Sequence, residues 1–230
     1  MIIFDCDGVL VDSEGIKSEV VARHLGKLGI AITGATLIER FSGVPDREMY
    51  QTLSLETGAH IPPEHIAEVH ALKIDHCGAK GEALAVPGIH QCLDELRGAA
   101  VCVASSSSPN MLAHMLKQAR LWDRFAPHIF SAHEVKRGKP APDLFLLAAA
   151  RLVVAPAYCL VVEDSVAGIT AAKAAGMPAI GFAGGCHCGP DHADKLRRAG
   201  AQAVFMRMAS LAEYLSAPSS DGASEPLSRK

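Results

Sequence analysis

The chain has 230 residues, 49% of them hydrophobic and 20% charged, and a formal net charge of −3. That is length and apolar content for one large domain or two modest ones, with no basic field to attract nucleic acid. No apolar run approaches the roughly 18 residues that would cross a bilayer, and carboxylates at positions 5 and 7 argue against an N-terminal signal peptide.

The apolar run Met1 to Phe4 predicts a short first strand ending at Asp5-Cys6-Asp7-Gly8. From Ser13 to Gly81 the pattern is helical and holds no convincing strand. Val20, Val21, Leu25 and Leu28 form one amphipathic stripe that stops at Gly29, and further helices are expected over 35–41, 46–57 and 63–77. From Ala83 the pattern changes. Strands are predicted at 101–104, 129–130, 159–162, 179–182 and 203–205, and helices at 89–96, 110–119, 142–151 and 166–175. Alternating elements with fully apolar strands mean a doubly wound parallel sheet of the α/β class. The first strand belongs with this later half. The expected division is an α/β core over 1–12 and 83–215, an inserted all-helical segment over 13–82, and a disordered tail over 216–230, rich in Ser, Pro and charge. Seven cysteines are an odd number, and Cys102 and Cys159 lie in strand-like runs. They are expected as buried thiols in a reducing compartment, the cytoplasm by default.

In such sheets ligands bind beyond the carboxyl ends of the strands, where strand order reverses. Four strand ends carry polar groups. Asp5 and Asp7 alternate along an extended chain, share a face and repel in poor solvent unless a cation or a shared proton relieves them; a surface acidic turn is the bland alternative. Ser105 opens a serine run at a helix start, which suits either an anion site or a plain N-cap. Lys139, among Pro140 and Pro142, is either aimed inward by stiff backbone or an ordinary surface charge. Glu163 and Asp164 end a buried strand, where they either join the acidic cluster or favour a helix N-terminus. Together these groups call for a hard divalent cation, and oxygen-only ligands favour Mg²⁺.

In these four stretches the sequence resembles the haloacid dehalogenase superfamily, specifically its phosphatases with a helical cap inserted after the first motif. The carriers are Asp5 to Glu14, Ser105, Lys139-Pro140 and Glu163-Asp164-Ser165, in that order. The resemblance implies a Rossmann-like core and a helical cap. It also implies Asp5 as nucleophile and Asp7 as general acid and then base. Mg²⁺ would be held by Asp5, the Asp7 carbonyl and Asp164, with Glu163 supporting it. Ser105 and Ser106 would hold the phosphoryl oxygens, and Lys139 would neutralise nucleophile and phosphate. Crowding by Asp5 is expected to raise the Asp7 pKa, as an acid near neutral pH requires. An aspartate at position 7 suits an oxygen leaving group and so phosphate-ester chemistry.

The cap hinges are expected near Asp12 to Glu14 and Glu82 to Pro87. The stretch Phe41 to Arg47 resembles a substrate-reading cap loop, with Arg47 either an anion ligand or a surface partner of Asp46 or Glu48. Lys17 stands where β-phosphoglucomutases of this fold have a histidine; it suits a negatively charged or polyhydroxyl leaving group, or is simply exposed. Cys186-His187-Cys188 with His192 has metal-ligand spacing only loosely and reads as a loop with incidental Cys and His. His60, His65, His70 and His76 read as surface or boundary residues of the cap. The leading expectation is a Mg²⁺-dependent phosphatase acting on a small phosphorylated metabolite, with no nucleic-acid or membrane partner. The alternatives are a phosphomutase and a non-enzymatic binding module. Oligomeric state stays open.

Overall fold

The computed structural model describes residues 1–217 of the chain. Six parallel strands form one sheet: β1 (Ile2–Phe4), β2 (Val101–Ser105), β3 (Ile129–Ser131), β4 (Leu160–Glu163), β5 (Ala179–Phe182) and β6 (Ala203–Phe205). Their order is β3-β2-β1-β4-β5-β6. β1 therefore sits at the reversal of strand order, pairing with β2 on one side and β4 on the other.

The sheet is covered on both faces, and the alternation of side chains in β1 shows it. Ile2 and Phe4 join one core cluster with Val103, Val162 and Phe182, while Ile3 joins the other with Cys102, Ala104 and Val161. Between Phe4 and β2 lie α1 (Glu14–Lys27), α2 (Gly34–Phe41), α3 (Asp46–Thr57), α4 (Pro63–Gly78) and α5 (Ile89–Glu95). The remaining helices are α6 (Pro109–Gln118), α7 (Trp122–Phe125), α8 (Asp143–Arg151), α9 (Val166–Ala174), α10 (His192–Ala199) and α11 (Met208–Ser216). Side chains of α5, α6, α7 and α11 cover the face that carries Phe4, and those of α8, α9 and α10 cover the other.

Helices α1 to α4 bury a cluster of their own, built on Val20, Val21, Leu25, Leu37, Met49, Tyr50, Leu53 and Val69. The two chain crossings to this helical unit lie side by side. Asp12 N–H donates to the Leu84 carbonyl at 2.8 Å, and Val86 N–H donates to that of Leu10 at 3.0 Å. Residues 10–12 and 84–86 thus form a paired neck where the hinges were expected.

All six predicted strands and most predicted helices match to within a residue or two; α7, α10 and α11 were not anticipated. Of the expected tail, Ser216 instead closes α11, and 218–230 lie outside the described residues. Among the described residues no helix is long and apolar enough to cross a membrane.

Leu25, fully buried in the α1–α4 cluster, tests whether that cluster stands on its own packing. Leu25→Ala is expected to destabilise the protein by about 2–5 kcal/mol in urea denaturation followed by circular dichroism.

Candidate active site

The four polar strand ends meet. Asp5 and Asp7 follow β1, Ser105 ends β2, and Glu163 and Asp164 end and follow β4. Lys139 reaches them from the loop between β3 and α8. All of these except Lys139 and Glu163 line one cavity of about 920 Å³, whose far wall is made by α1, α3 and α4. Lys139 and Glu163 lie beneath its floor, fully buried.

Lys139 organises that floor. Its Nζ donates to Asp5 Oδ1 at 2.6 Å, to Glu163 Oε1 at 2.5 Å and to the Ala104 carbonyl at 3.0 Å. It also stands 4.9 Å from the centre of the Phe145 ring, a cation–π contact. Burial would push its pKa down, but the charges of Asp5 and Glu163 outweigh burial and hold it up. Glu163 is held from its other oxygen by the N–H and hydroxyl of Ser165, both at 2.9 Å. Ser165 in turn caps α9 by accepting the Gly168 N–H at 3.0 Å. Both Glu163 oxygens are thus occupied by protein groups, and its visible work is to hold Lys139 in place.

Asp5 lies in a different balance. Burial raises its pKa, Lys139 opposes that, and Glu163, Asp164 and Asp7 add to it. Asp164 is pushed up to about 6, chiefly by burial. One carboxylate oxygen each from Asp5, Glu163 and Asp164 lie within 4.8 Å of one another. Asp164 Oδ2 is buried without a hydrogen bond. The His187 Nε2 is 2.9 Å from it, an ion-pair distance, but the ring N–H is not aimed at the oxygen. Gly8 explains part of this crowding. Its φ is +79°, and a Cβ there would lie 1.9 Å from Asp164 Oδ2, so only glycine both takes the turn and leaves the carboxylate its place.

The Asp7 carboxylate overturns one expectation. Crowding by Asp5 was expected to raise its pKa; it is instead lowered to about 2. Burial does push it up, but Lys17 Nζ at 2.9 Å from Oδ1 more than compensates. Hydrogen bonds from Ser13, and from the Ser107 hydroxyl at 2.7 Å, hold it further down. Ser105 stands 3.4 Å from the same carboxylate and accepts the Ser107 N–H at 3.1 Å. The N-cap of α6 is Ser108, not Ser105.

Lys17 is therefore no surface residue. It lies on α1 with Asp7 on one side and Glu14 Oε1 at 2.5 Å on the other. Ser106 donates its hydroxyl to the Gly43 carbonyl at 2.9 Å, which ties the serine run to the cap loop. Gly43, at φ +79°, would place a Cβ 2.3 Å from Ser165 Oγ. The loop at 42–45 thus presses directly on the strand ends. Arg47, in the first turn of α3, lines the cavity, and Asp46 pairs with Lys73 instead.

Lys73 and Ser107 were missed by sequence reasoning. Val69, Lys73 and Cys77 are the buried positions of α4 at intervals of four, so a lysine inside an apolar stripe was the available signal. Ser107 carried none beyond its place in a serine run. His70 was expected at the surface or boundary, and it does line the cavity, 3.1 Å from the Ser108 hydroxyl.

A family model of haloacid dehalogenase-like hydrolases matches residues 1–176. The chain belongs to that family. It is similar to the 6-phosphogluconate phosphatase of Escherichia coli, 31% identical over 82% of this chain and 85% of the relative. It is also similar to the β-phosphoglucomutase of Bacillus subtilis, 30% identical over 80% and 83%. Among solved structures, a haloacid dehalogenase-like protein from Agrobacterium tumefaciens superposes with a TM-score of 0.77, at 39% identity, over 94% of this chain and 96% of that one. Within the family this hydrolase falls in the phosphoric monoester class.

The Lys17–Asp7 pair makes a prediction about acid stability. The folded pKa of Asp7 lies below its ordinary value of 3.8, so the stabilisation is present above about pH 4 and is lost as pH falls towards about 2. The urea midpoint of the wild type should exceed that of Lys17→Met by more at pH about 5 than at pH about 2.5. A gap that does not change with pH would mean that the pair does not hold Asp7 ionised.

Proposed function

We propose that this hydrolase is a Mg²⁺-dependent phosphatase of small soluble phosphomonoesters, a sugar phosphate or a related metabolite, acting through a phosphorylated Asp5. The observation that carries the reading is the Lys139 ammonium fixed on Asp5 beneath the cavity, with Asp164 beside it. A carboxylate attacks a phosphate dianion only where their repulsion is offset, and a buried ammonium on the nucleophile supplies part of that offset.

The donor set fits Mg²⁺. It is all oxygen, as that ion prefers. Asp164 carries a buried oxygen with no hydrogen bond, and Gly8 keeps the space in front of it clear. We assign Asp5, Asp164 and the Asp7 backbone carbonyl as the ligands, with Glu163 supporting them through Lys139. When bound, the ion would supply Lewis-acid charge on the phosphoryl oxygens.

The remaining steps belong to the chain's own residues. The Asp5 carboxylate attacks phosphorus, and the bond from phosphorus to the substrate's ester oxygen breaks. That oxygen takes a proton held on Asp7, and the alcohol leaves. A water then attacks the phosphoryl group on Asp5, gives its proton to Asp7, and inorganic phosphate is released. With Lys17 on its Oδ1, Asp7 is an ionised carboxylate, the form needed to take the proton from water. For the first half, Lys17 has a second partner in Glu14 and can withdraw to it, which frees Asp7 to carry the proton. Ser105, Ser106 and the backbone N–H groups around them bind the phosphoryl oxygens.

Helices α1 to α4, over 13–82, act in this reading as a cap on the core over 1–12 and 83–215. The cap excludes water and reads the leaving group, with Arg47 and Lys17 as the polar contacts. A cavity of about 920 Å³ suits a small metabolite. Seven free thiols suit a reducing compartment, and we assign the protein to the cytoplasm.

Phosphate release from a panel of sugar phosphates, with and without Mg²⁺, tests the reading. Release should require Mg²⁺ and no sugar bisphosphate; an isomeric phosphate formed only with a bisphosphate activator would mean a mutase instead. Asp5→Asn should abolish turnover by orders of magnitude with an unchanged circular dichroism spectrum. Lys139→Ala should cost nearly as much activity and also lower the melting temperature, because it strands two buried carboxylates. Near-normal turnover in Asp5→Asn would remove the nucleophile.

A further inference from the structure

Among the described residues, one cluster of ligating groups stands together outside the acidic floor. A nitrogen of His187, the sulfur of Cys188 and a nitrogen of His192 lie within 4.8 Å of one another. The Cys188 Sγ is 3.5 Å from His187 Nε2, and the two imidazole rings meet edge to face at 5.6 Å between centres. Their spacing along the chain offered little reason to expect this. The three residues span a tight loop and the first turn of α10. Backbone bonds from Cys188 N–H to the Gly185 carbonyl and from His192 N–H to that of Gly189, both 3.0 Å, fold the loop so that they face one another.

We propose that His187, Cys188 and His192 form a second metal site, for a thiophilic divalent cation of the zinc type, distinct from the all-oxygen floor. Two imidazoles and a thiolate are a donor set that Zn²⁺ takes and Mg²⁺ does not. Bonds of about 2.0–2.3 Å in a tetrahedron bring ligand atoms closer than they now stand, a change that small side-chain rotations in a loop can make. The fourth position is left for water.

A second observation points the same way. The His187 side chain is fully buried, yet its Nδ1 has no hydrogen-bond partner. A buried ring nitrogen without a partner is costly, and a turn of the ring towards Cys188 would let a cation give it one. The nitrogen against Cys188 Sγ, His187 Nε2, also lies 2.9 Å from Asp164 Oδ2. Cys186 is not a member: it is exposed, and its N–H is bound to Asp12 at 3.1 Å.

The test is a Co²⁺ titration of the full chain, purified free of transition metals and kept saturated with Mg²⁺. One equivalent of Co²⁺ should produce the visible bands of a tetrahedral ion together with a near-ultraviolet thiolate-to-metal absorption, and Zn²⁺ should bleach both. Cys188→Ser, a one-atom exchange, should abolish the thiolate absorption. His192→Asn should weaken Co²⁺ affinity at least about tenfold, since it removes one of three protein ligands. Cys186→Ser and Asp5→Asn should leave the spectrum as it is. Absence of the thiolate absorption in the wild type overturns the site. So does its survival in Cys188→Ser, or its loss in Cys186→Ser or Asp5→Asn. Because the readout is spectral, it stands or falls separately from the phosphatase reading.

Discussion

The site depends on one buried ammonium. Lys139 sits among Asp5, Glu163 and the Ala104 carbonyl with almost no contact with solvent. An isolated charge in that place would be expensive, and so would either carboxylate without it. Each is tolerable because the others are there. The sheet provides the geometry: β1 lies between β2 and β4, so the residues after β1 and β4 emerge beside one another and Ala104 of β2 turns its carbonyl into the same space. Glu163 is itself fixed by Ser165, which starts α9. A helix cap, a strand end and a loop lysine thus share one electrostatic arrangement.

Around that floor the negative charge is left in excess. Lys17 answers Asp7, and Lys139 answers Asp5 and Glu163, but Asp164 has only the sideways contact of His187. Burial pushes both Asp5 and Asp164 towards their neutral forms. Such a set is poorly adapted to pure structure, since apolar residues of similar size would pack as well at less cost. It is well adapted to a divalent cation and a phosphoryl group. The helical unit adds the second half. Through Lys17 it supplies the ion that holds Asp7 ionised, and through Gly43 and Ser106 it lays a loop on the strand ends.

Much of this was legible in the sequence, for a physical reason. Apolar strands buried on both faces leave a clear run of hydrophobic residues, and a carboxylate at the end of such a run has no ordinary explanation. Asp5, Asp7, Glu163 and Asp164 were found that way, and Lys139 and Ser105 acquired meaning from their order along the chain. What stayed hidden depends on side chains from distant segments. The lowered pKa of Asp7 comes from Lys17, ten residues on, after the chain has crossed the neck and begun α1. Lys73 shows only as a charge inside the apolar stripe of α4. His187, Cys188 and His192 are close in sequence, but their convergence depends on how a glycine-rich loop folds back. The last helix, α11, was not read, and its final residue, Ser216, was taken for the start of a polar tail.

The central claim is that the buried carboxylates held by Lys139 form a cage for one hard cation. Calorimetric titration of metal-free protein with Mg²⁺ addresses it most directly. The account predicts a single Mg²⁺ bound per chain, with the binding heat lost in Asp164→Asn. No saturable binding in the wild type, or binding of equal strength and stoichiometry in Asp164→Asn, would contradict it.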